Sequence, residues 1–207
     1  VLHIKSKNVR KTLSELSYKI LKNKPKNLIA VTGTNGKSSV ADFYFQILKL
    51  NKKKVASIGT LGVKTNNSFN KLPNTTIDPI NLSKILTKLK KKKIDNVIME
   101  ASSHGLEQNR LDGLKFNVGI FTNLSHDHLD YHKSMKKYLM AKLYLFQNLL
   151  FKNKDVVTDQ SNSQYAILKK ICKKRSLRLN TFSDNGKYSK IKLKGYSYDR
   201  EKLIIEI

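Results

Sequence analysis

The chain has 207 residues, 39% of them hydrophobic, which is enough to bury the core of one domain with or without an appendage. Its 41 lysines and arginines against 15 acidic residues give a formal charge of +26, nearly all of it lysine, since arginine occurs only at Arg10, Arg110, Arg175, Arg178 and Arg200. No run approaches the roughly 18 apolar residues of a membrane span, the first residues lack the apolar segment of a signal peptide, and the lone Cys172 excludes an internal disulfide, so a cytoplasmic protein without membrane insertion is expected.

In chain order, residues 1–25 carry weak helical periodicity and end at Pro25, which predicts a lead-in segment ahead of a domain spanning 26–207. The apolar run "NLIAVTG" (27–33) predicts a buried strand. "KSSVADFYFQILKL" (37–50) predicts a helix with Val40, Phe43, Ile47, Leu48 and Leu50 on its apolar side. "KVASIGTLGV" (54–63) reads as a second strand, and "DPINLSKILTKLKKK" (78–92) as an amphipathic helix capped by Asp78 with Pro79 at its first position. "NVIMEAS" (96–102) and "VGIFTNL" (118–124) are further buried strands. "SMKKYLMAKLYLFQNLLF" (134–151) reads as one long helix, followed by a strand at "DVVTD" (155–159) and a helix at "SQYAILKKICKK" (163–174). After about residue 176, alternating residues around Asn185-Gly186 predict a hairpin, and "KLIIEI" closes the chain as a strand. Alternating strands and helices imply an α/β fold, a mostly parallel sheet with helices on both faces, plus a small antiparallel element near the C-terminus.

Three stretches carry chemistry. "AVTGTNGKSSV" (30–40) resembles a phosphate-binding loop, although Val31 stands where the usual first glycine would be. The pattern still supplies Gly33, Gly36, Lys37 and Ser38 at a strand end where a helix begins. Backbone N–H groups and a helix N-terminus there favour phosphate, lysine neutralises its oxygens, and a hydroxyl can meet Mg²⁺. An ordinary strand–helix turn capped by serine is the bland alternative. Glu100 closes a buried strand, a costly position for a carboxylate unless it is paired or binds metal. "HDHLDYH" puts His126, Asp127, His128, Asp130 and His132 together after the following strand, which is read as lying next to that of Glu100. Such a loop alone is more often a polar cap than a metal site, but beside Glu100 it suggests an oxygen-rich Mg²⁺ site with one imidazole, since its spacing fits no tetrahedral zinc motif. By spacing alone, Lys142 reads as a surface lysine whose stem lies on apolar neighbours.

Taken together, "VTGTNGKSS", "SIGTLGV", "NTTIDP", "MEASSHGLEQNRLDG" and "FTNLSHDHLDYHKSMKKYLMAK" resemble the Mur ligases, and among them the MurE type, over about residues 12–160. The first stretch is shared with folylpolyglutamate synthetases, while the others are more specific. The resemblance implies an ATP-dependent ligase that joins a diamino acid, meso-diaminopimelate or L-lysine, to UDP-N-acetylmuramoyl-L-alanyl-D-glutamate through an acyl phosphate, in peptidoglycan synthesis. It implies that Gly33, Thr34, Asn35, Gly36, Lys37, Ser38 and Ser39 hold ATP, and that Ser38, Glu100 and His128 hold Mg²⁺. It further implies that Lys142 is a carbamylated lysine able to support metal, and that Asn74, Thr75, Thr76, Ser102, Gln108 and Arg110 contact the UDP-sugar peptide. Catalysis would then rest on Lys37, Glu100, His128 and Lys142. The family's three-domain plan implies that this chain starting at Val1 is a truncated, monomeric ligase lacking the C-terminal domain, and Thr158 departs from the family's usual residue. Two rival readings are a folylpolyglutamate synthetase-like ligase, against which "NTTIDP" and "SSHGLEQNR" argue, and a basic nucleic-acid-binding module. The second is disfavoured because neither arginine nor stacking aromatics are clustered, so no nucleic acid is expected.

Overall fold

The computed structural model describes residues 3, 5–20, 23–183, 191–192, 195–199 and 202–206. Strand β1 (Asn27–Thr32) runs through its centre, parallel both to β5 (Asn96–Glu100) and to β6 (Phe116–Phe121). Its side chains split between two cores. Leu28 and Ala30 join Val97 and Met99 on one face, while Ile29 and Val31 join Ile98 on the other. Because both faces are covered, an unbroken apolar run is what such a strand needs.

Beyond β5 lie β2 (Val55–Gly59), β3 (Gly62–Thr65) and β4 (Ser68–Asn70). Beyond β6 lie β7 (Leu150–Asp159), β8 (Arg178–Ser183) and β9 (Ile191–Lys192). The described sheet thus has nine strands in the order β4-β3-β2-β5-β1-β6-β7-β8-β9. The mostly parallel α/β expectation holds, with two differences of detail. "KVASIGTLGV" is two antiparallel strands, because Gly62, with φ 102, turns the chain between β2 and β3. The hairpin expected at Asn185-Gly186 lies outside the described residues, and β8 and β9 on either side of it pair in parallel. The antiparallel element near the C-terminus is instead β10 (Gly195–Asp199) with β11 (Lys202–Glu206).

Helix α2 (Lys37–Leu50) covers the smaller core through Ala41, with Val40 and Tyr44 packed against it, and Phe45 is buried on the same helix. Phe43, Ile47 and Leu50, read as part of an inward stripe, are exposed. The inward row is 41 and 45, since a small residue at 41 lets the helix approach the sheet closely. On the larger core lie α1 (Val9–Ile20), α3 (Pro79–Lys91), α4 (Ser103–Glu107), α6 (Met135–Tyr144) and α7 (Tyr165–Arg175). Asp78 caps α3 as expected, accepting from Asn81 N at 3.0 Å. The lead-in helix α1 is docked on the domain: Tyr18 is buried, and its hydroxyl donates to Arg110 O at 2.8 Å. Among the described residues no helix is long and apolar enough to cross a membrane.

Candidate functional site

The loop after β1 is shaped by contacts that its sequence alone does not disclose. Gly33 has φ 146, and a methyl group there would collide with Thr122 Oγ1, so only glycine fits. Gly36 follows in the left-handed region, with φ 81, and delivers the chain into α2. The loop is pinned to the segment after β6. Thr34 N donates to Asn123 O at 2.9 Å, Asn35 N to Asn123 Oδ1 at 2.9 Å, and Thr122 Oγ1 to Asn35 O at 2.6 Å. Those bonds spend the N–H groups of Thr34 and Asn35, and they fix the loop so that its other N–H groups are arranged before any ligand arrives, which is what anion binding at a helix start requires.

Lys37 turns back over this loop, donating to Thr34 O at 2.7 Å and Gly33 O at 3.0 Å. Burial pushes its pKa down, and the carboxylates of Glu100 and Asp127 oppose that shift. Glu100, 3% exposed, sits beside it because β5 pairs with β1 in a register that sets Glu100 against Val31. Its carboxylate accepts from Ser38 Oγ at 3.0 Å, from Thr60 Oγ1 at 3.1 Å and from Thr60 N at 2.9 Å. Gly59 leaves room for it, since a methyl there would strike the carboxylate.

Lys142 overturns its reading as a surface lysine. It is 1% exposed, its Nζ donates to Gly33 O at 2.6 Å and lies 4.2 Å from the centre of the Tyr138 ring. Burial, and then the charge of Lys37, push its pKa down to about 7. Spacing could not find this, because the partner carbonyl is 109 positions away.

His128 lies on the other side of β1: β6 is not the neighbour of β5, so the loops after β5 and β6 flank β1 rather than each other. His128 adopts φ 51 just before α5 (Leu129–His132), is 48% exposed, and has Nε2 3.4 Å from Asp127 Oδ2. Its ring stands edge-on to His104 at 4.9 Å. His132 is buried with Nε2 3.0 Å from Ser103 Oγ, and burial lowers the pKa of both His104 and His132.

These groups line one cleft of about 360 Å³ at the carboxyl ends of β1 and β5, walled by Thr34 to Ser39 on one side and by Glu100, His128 and Lys142 on the others. Thr75 and Ser102 also line it, and so do Thr60, Ser103 and Tyr138, uncharged residues that lie within the quoted stretches but were given no role there. The remaining expected substrate contacts stand elsewhere. Thr76 is buried, its hydroxyl donating to Glu100 O and accepting from Ser102 N, both at 2.9 Å. Arg110 is held by the Gln108 side chain and the Thr76 carbonyl, and Asn74 is exposed. Thr158 is buried and donates to Phe121 O at 3.1 Å, a packing role inside the sheet.

The donor set suits a hard cation. Ser38 gives its proton to Glu100, leaving oxygen lone pairs, and carboxylate and hydroxyl oxygens are what Mg²⁺ prefers. Among the described residues no group of three or more His, Cys, Asp or Glu is gathered for a metal.

Residues 31–207 match the Mur ligase middle domain. A UDP-N-acetylmuramoyl-L-alanyl-D-glutamate–2,6-diaminopimelate ligase of Rickettsia bellii is 42% identical over 185 residues, covering 86% of this chain and 39% of the relative. A solved structure of a ligase of that name superposes with a TM-score of 0.86 at 29% identity, over 97% of this chain and 41% of the other. A folylpolyglutamate synthase of Mycobacterium tuberculosis shares the fold, with a TM-score of 0.72 at 10% identity over 98% of this chain and 51% of the other. The chain therefore spans about two-fifths of the length of the ligases it matches.

Proposed function

The chain belongs to the Mur ligase family through its middle domain, and on that premise we propose that it is the nucleotide-handling part of an ATP-dependent ligase that attaches a diamino acid to UDP-N-acetylmuramoyl-L-alanyl-D-glutamate. Diaminopimelate is favoured over L-lysine by the names of the relatives. The reaction belongs to the cytoplasmic stage of peptidoglycan synthesis. In this reading residues 26–207 are the central ATP-binding domain, residues 1–25 lead into it, and the chain acts as a monomer. The 10%-identical synthase carries no argument for folate chemistry, and dispersed lysines carry none for nucleic acid.

Phosphoryl transfer asks mainly for positioning and charge neutralisation. The loop from Gly33 to Ser39 would hold the phosphates by backbone N–H groups, and Lys37 would leave the Gly33 and Thr34 carbonyls for the phosphate oxygens. Ser38 and Glu100, with His128 at the rim, would hold Mg²⁺, which supplies charge neutralisation across the phosphates. The glutamyl carboxylate of the sugar peptide would take the terminal phosphoryl group of ATP, releasing ADP, and attack by the diamino acid's amine on that acyl phosphate would expel phosphate, lose a proton and leave an amide. Thr75 and Ser102 on the cleft wall, with Asn74, Thr76, Gln108 and Arg110 behind them, would receive the sugar peptide. Lys142 deepens the case: an amine held near neutrality can add CO₂, losing a proton to become a carbamate whose anion could face the cations of the cleft. The observation that carries the proposal is the Ser38–Glu100 hydrogen bond at the root of the glycine loop.

Calorimetric titration with an ATP analogue tests it. Binding is expected to strengthen with Mg²⁺, and Glu100→Ala is expected to remove about 1.5–3 kcal/mol of that metal-dependent part. Nucleotide affinity that ignores Mg²⁺ in the unaltered chain would refute the proposal.

A further inference from the structure

Glu100 is held mainly by a residue with no charge. An ionised carboxylate only accepts hydrogen bonds, and of the three that reach the Glu100 carboxylate from the described residues two come from Thr60, through its N–H at 2.9 Å and its hydroxyl at 3.1 Å. Thr60 stands in the turn between β2 and β3, on the wall of the cleft. Its oxygen is also 2.9 Å from Thr75 Oγ1. A hydroxyl has one proton, and that of Thr60 is committed to Glu100. The second contact therefore has one direction: Thr75 donates to Thr60, and Thr60 donates to Glu100. The next residue along the same loop, Thr76, donates to the Glu100 carbonyl at 2.9 Å. The 74–76 loop is thereby tied to Glu100 twice, once at the carboxylate through Thr60 and once at the main chain.

Resting on the functional reading above, we propose that Thr60 is a positioning residue for Glu100 and that the Thr75–Thr60–Glu100 chain couples the 74–76 loop to the metal affinity of the cleft. Thr60 fixes both carboxylate oxygens, so the rotamer that Ser38 shares is set before a cation arrives. The direction of the chain also sets what the loop can recognise. With its proton spent on Thr60, Thr75 offers lone pairs, so it fits an N–H or O–H donor of the sugar peptide. A ligand oxygen that took the Thr75 proton would break the chain and loosen Glu100.

The test uses the 207-residue chain with a non-hydrolysable ATP analogue, titrated with Mg²⁺. Thr60→Val keeps the shape and the backbone N–H and loses only the hydroxyl. Supporting groups behind metal ligands set affinity by 10–100-fold, so Mg²⁺ binding is expected to weaken by about 10-fold. Metal-free analogue affinity should stay within about twofold, and Thr60→Ser should restore the metal response. Thr75→Val should weaken Mg²⁺ less, and should add nothing when combined with Thr60→Val. If valine is not accommodated, Thr60→Ala carries the same expectation. An unchanged Mg²⁺ response in Thr60→Val, or an equal loss of metal-free affinity, overturns the positioning role, and additive single effects overturn the coupling. An unaltered chain with no Mg²⁺-dependent nucleotide binding overturns the functional reading and this inference together.

Discussion

Lys142 is the residue whose surroundings most change its chemistry. An ordinary lysine is charged up to about pH 10.4, but burial and the neighbouring Lys37 bring this one to about 7. Between those values the unfolded chain binds a proton that the folded chain does not, so stability rises with pH across that window, and the cost of burying the charge is fully present below it. In CO₂-free buffer, Lys142→Met is expected to gain stability relative to the unaltered chain at pH 6. The advantage should shrink as pH climbs from about 7 towards 10, and thermal melts at several pH values would measure it. At this scale the sequence was partly legible. Lys37, Ser38 and Glu100 announce themselves by charge and motif, and they do meet in one cleft. Thr60, Ser103 and Tyr138 also line it, yet hydroxyls and rings that become significant only through partners 29 to 104 positions away leave no local pattern.

Elements were legible where one periodicity ruled and illegible where apolar residues came in unbroken runs. Helix α3 was clear at both ends, from Asp78 and Pro79 at its start to the lysines of its last turn. Asp78→Ala should cost about 1 kcal/mol, the usual worth of such a cap, read as a shifted urea midpoint with an unchanged slope. The hydrogen bonds from Asn81 also hold the Asp78 carboxyl below the usual carboxylate range, against the burial that would raise it. Its stabilisation is therefore present above that range and fades as pH falls through the depressed value. The segment 134–151, by contrast, looked like one helix. It is α6, a π-helical turn at Leu145–Leu149 and then the start of β7. Leu143, Leu145, Phe146, Leu149 and Leu150 are all buried, so hydrophobicity could not tell helix from strand, and the wide turn that redirects the chain has no composition of its own. The stripe of α2 was misplaced for a related reason: the sequence shows an apolar row at Phe43, Ile47 and Leu50, but the sheet takes the row containing the smaller Ala41.

Across the whole molecule, the parallel sheet sends the loops after β1, β5 and β6 to one rim. That much was foreseeable, because ligands in such folds gather beyond the carboxyl ends of the strands. The order β5-β1-β6 overturns the reading that the strand before the histidine loop lies next to that of Glu100, and it puts the glycine loop in the middle rather than at one side. The cleft is consequently assembled from segments about 100 positions apart, as the bond from Lys142 to Gly33 illustrates. No short contiguous fragment of the chain contains it, since its lining runs from Thr34 to Lys142. Ligand capture and global folding are for that reason one equilibrium, and a nucleotide at 100 times its Kd should add about 2.7 kcal/mol of unfolding free energy, visible as a concentration-dependent rise in Tm. In a polypeptide still emerging from a ribosome the cleft stays open on one side until the helix bearing Lys142 has docked, so the last portion of its wall to be synthesised acts as its clasp.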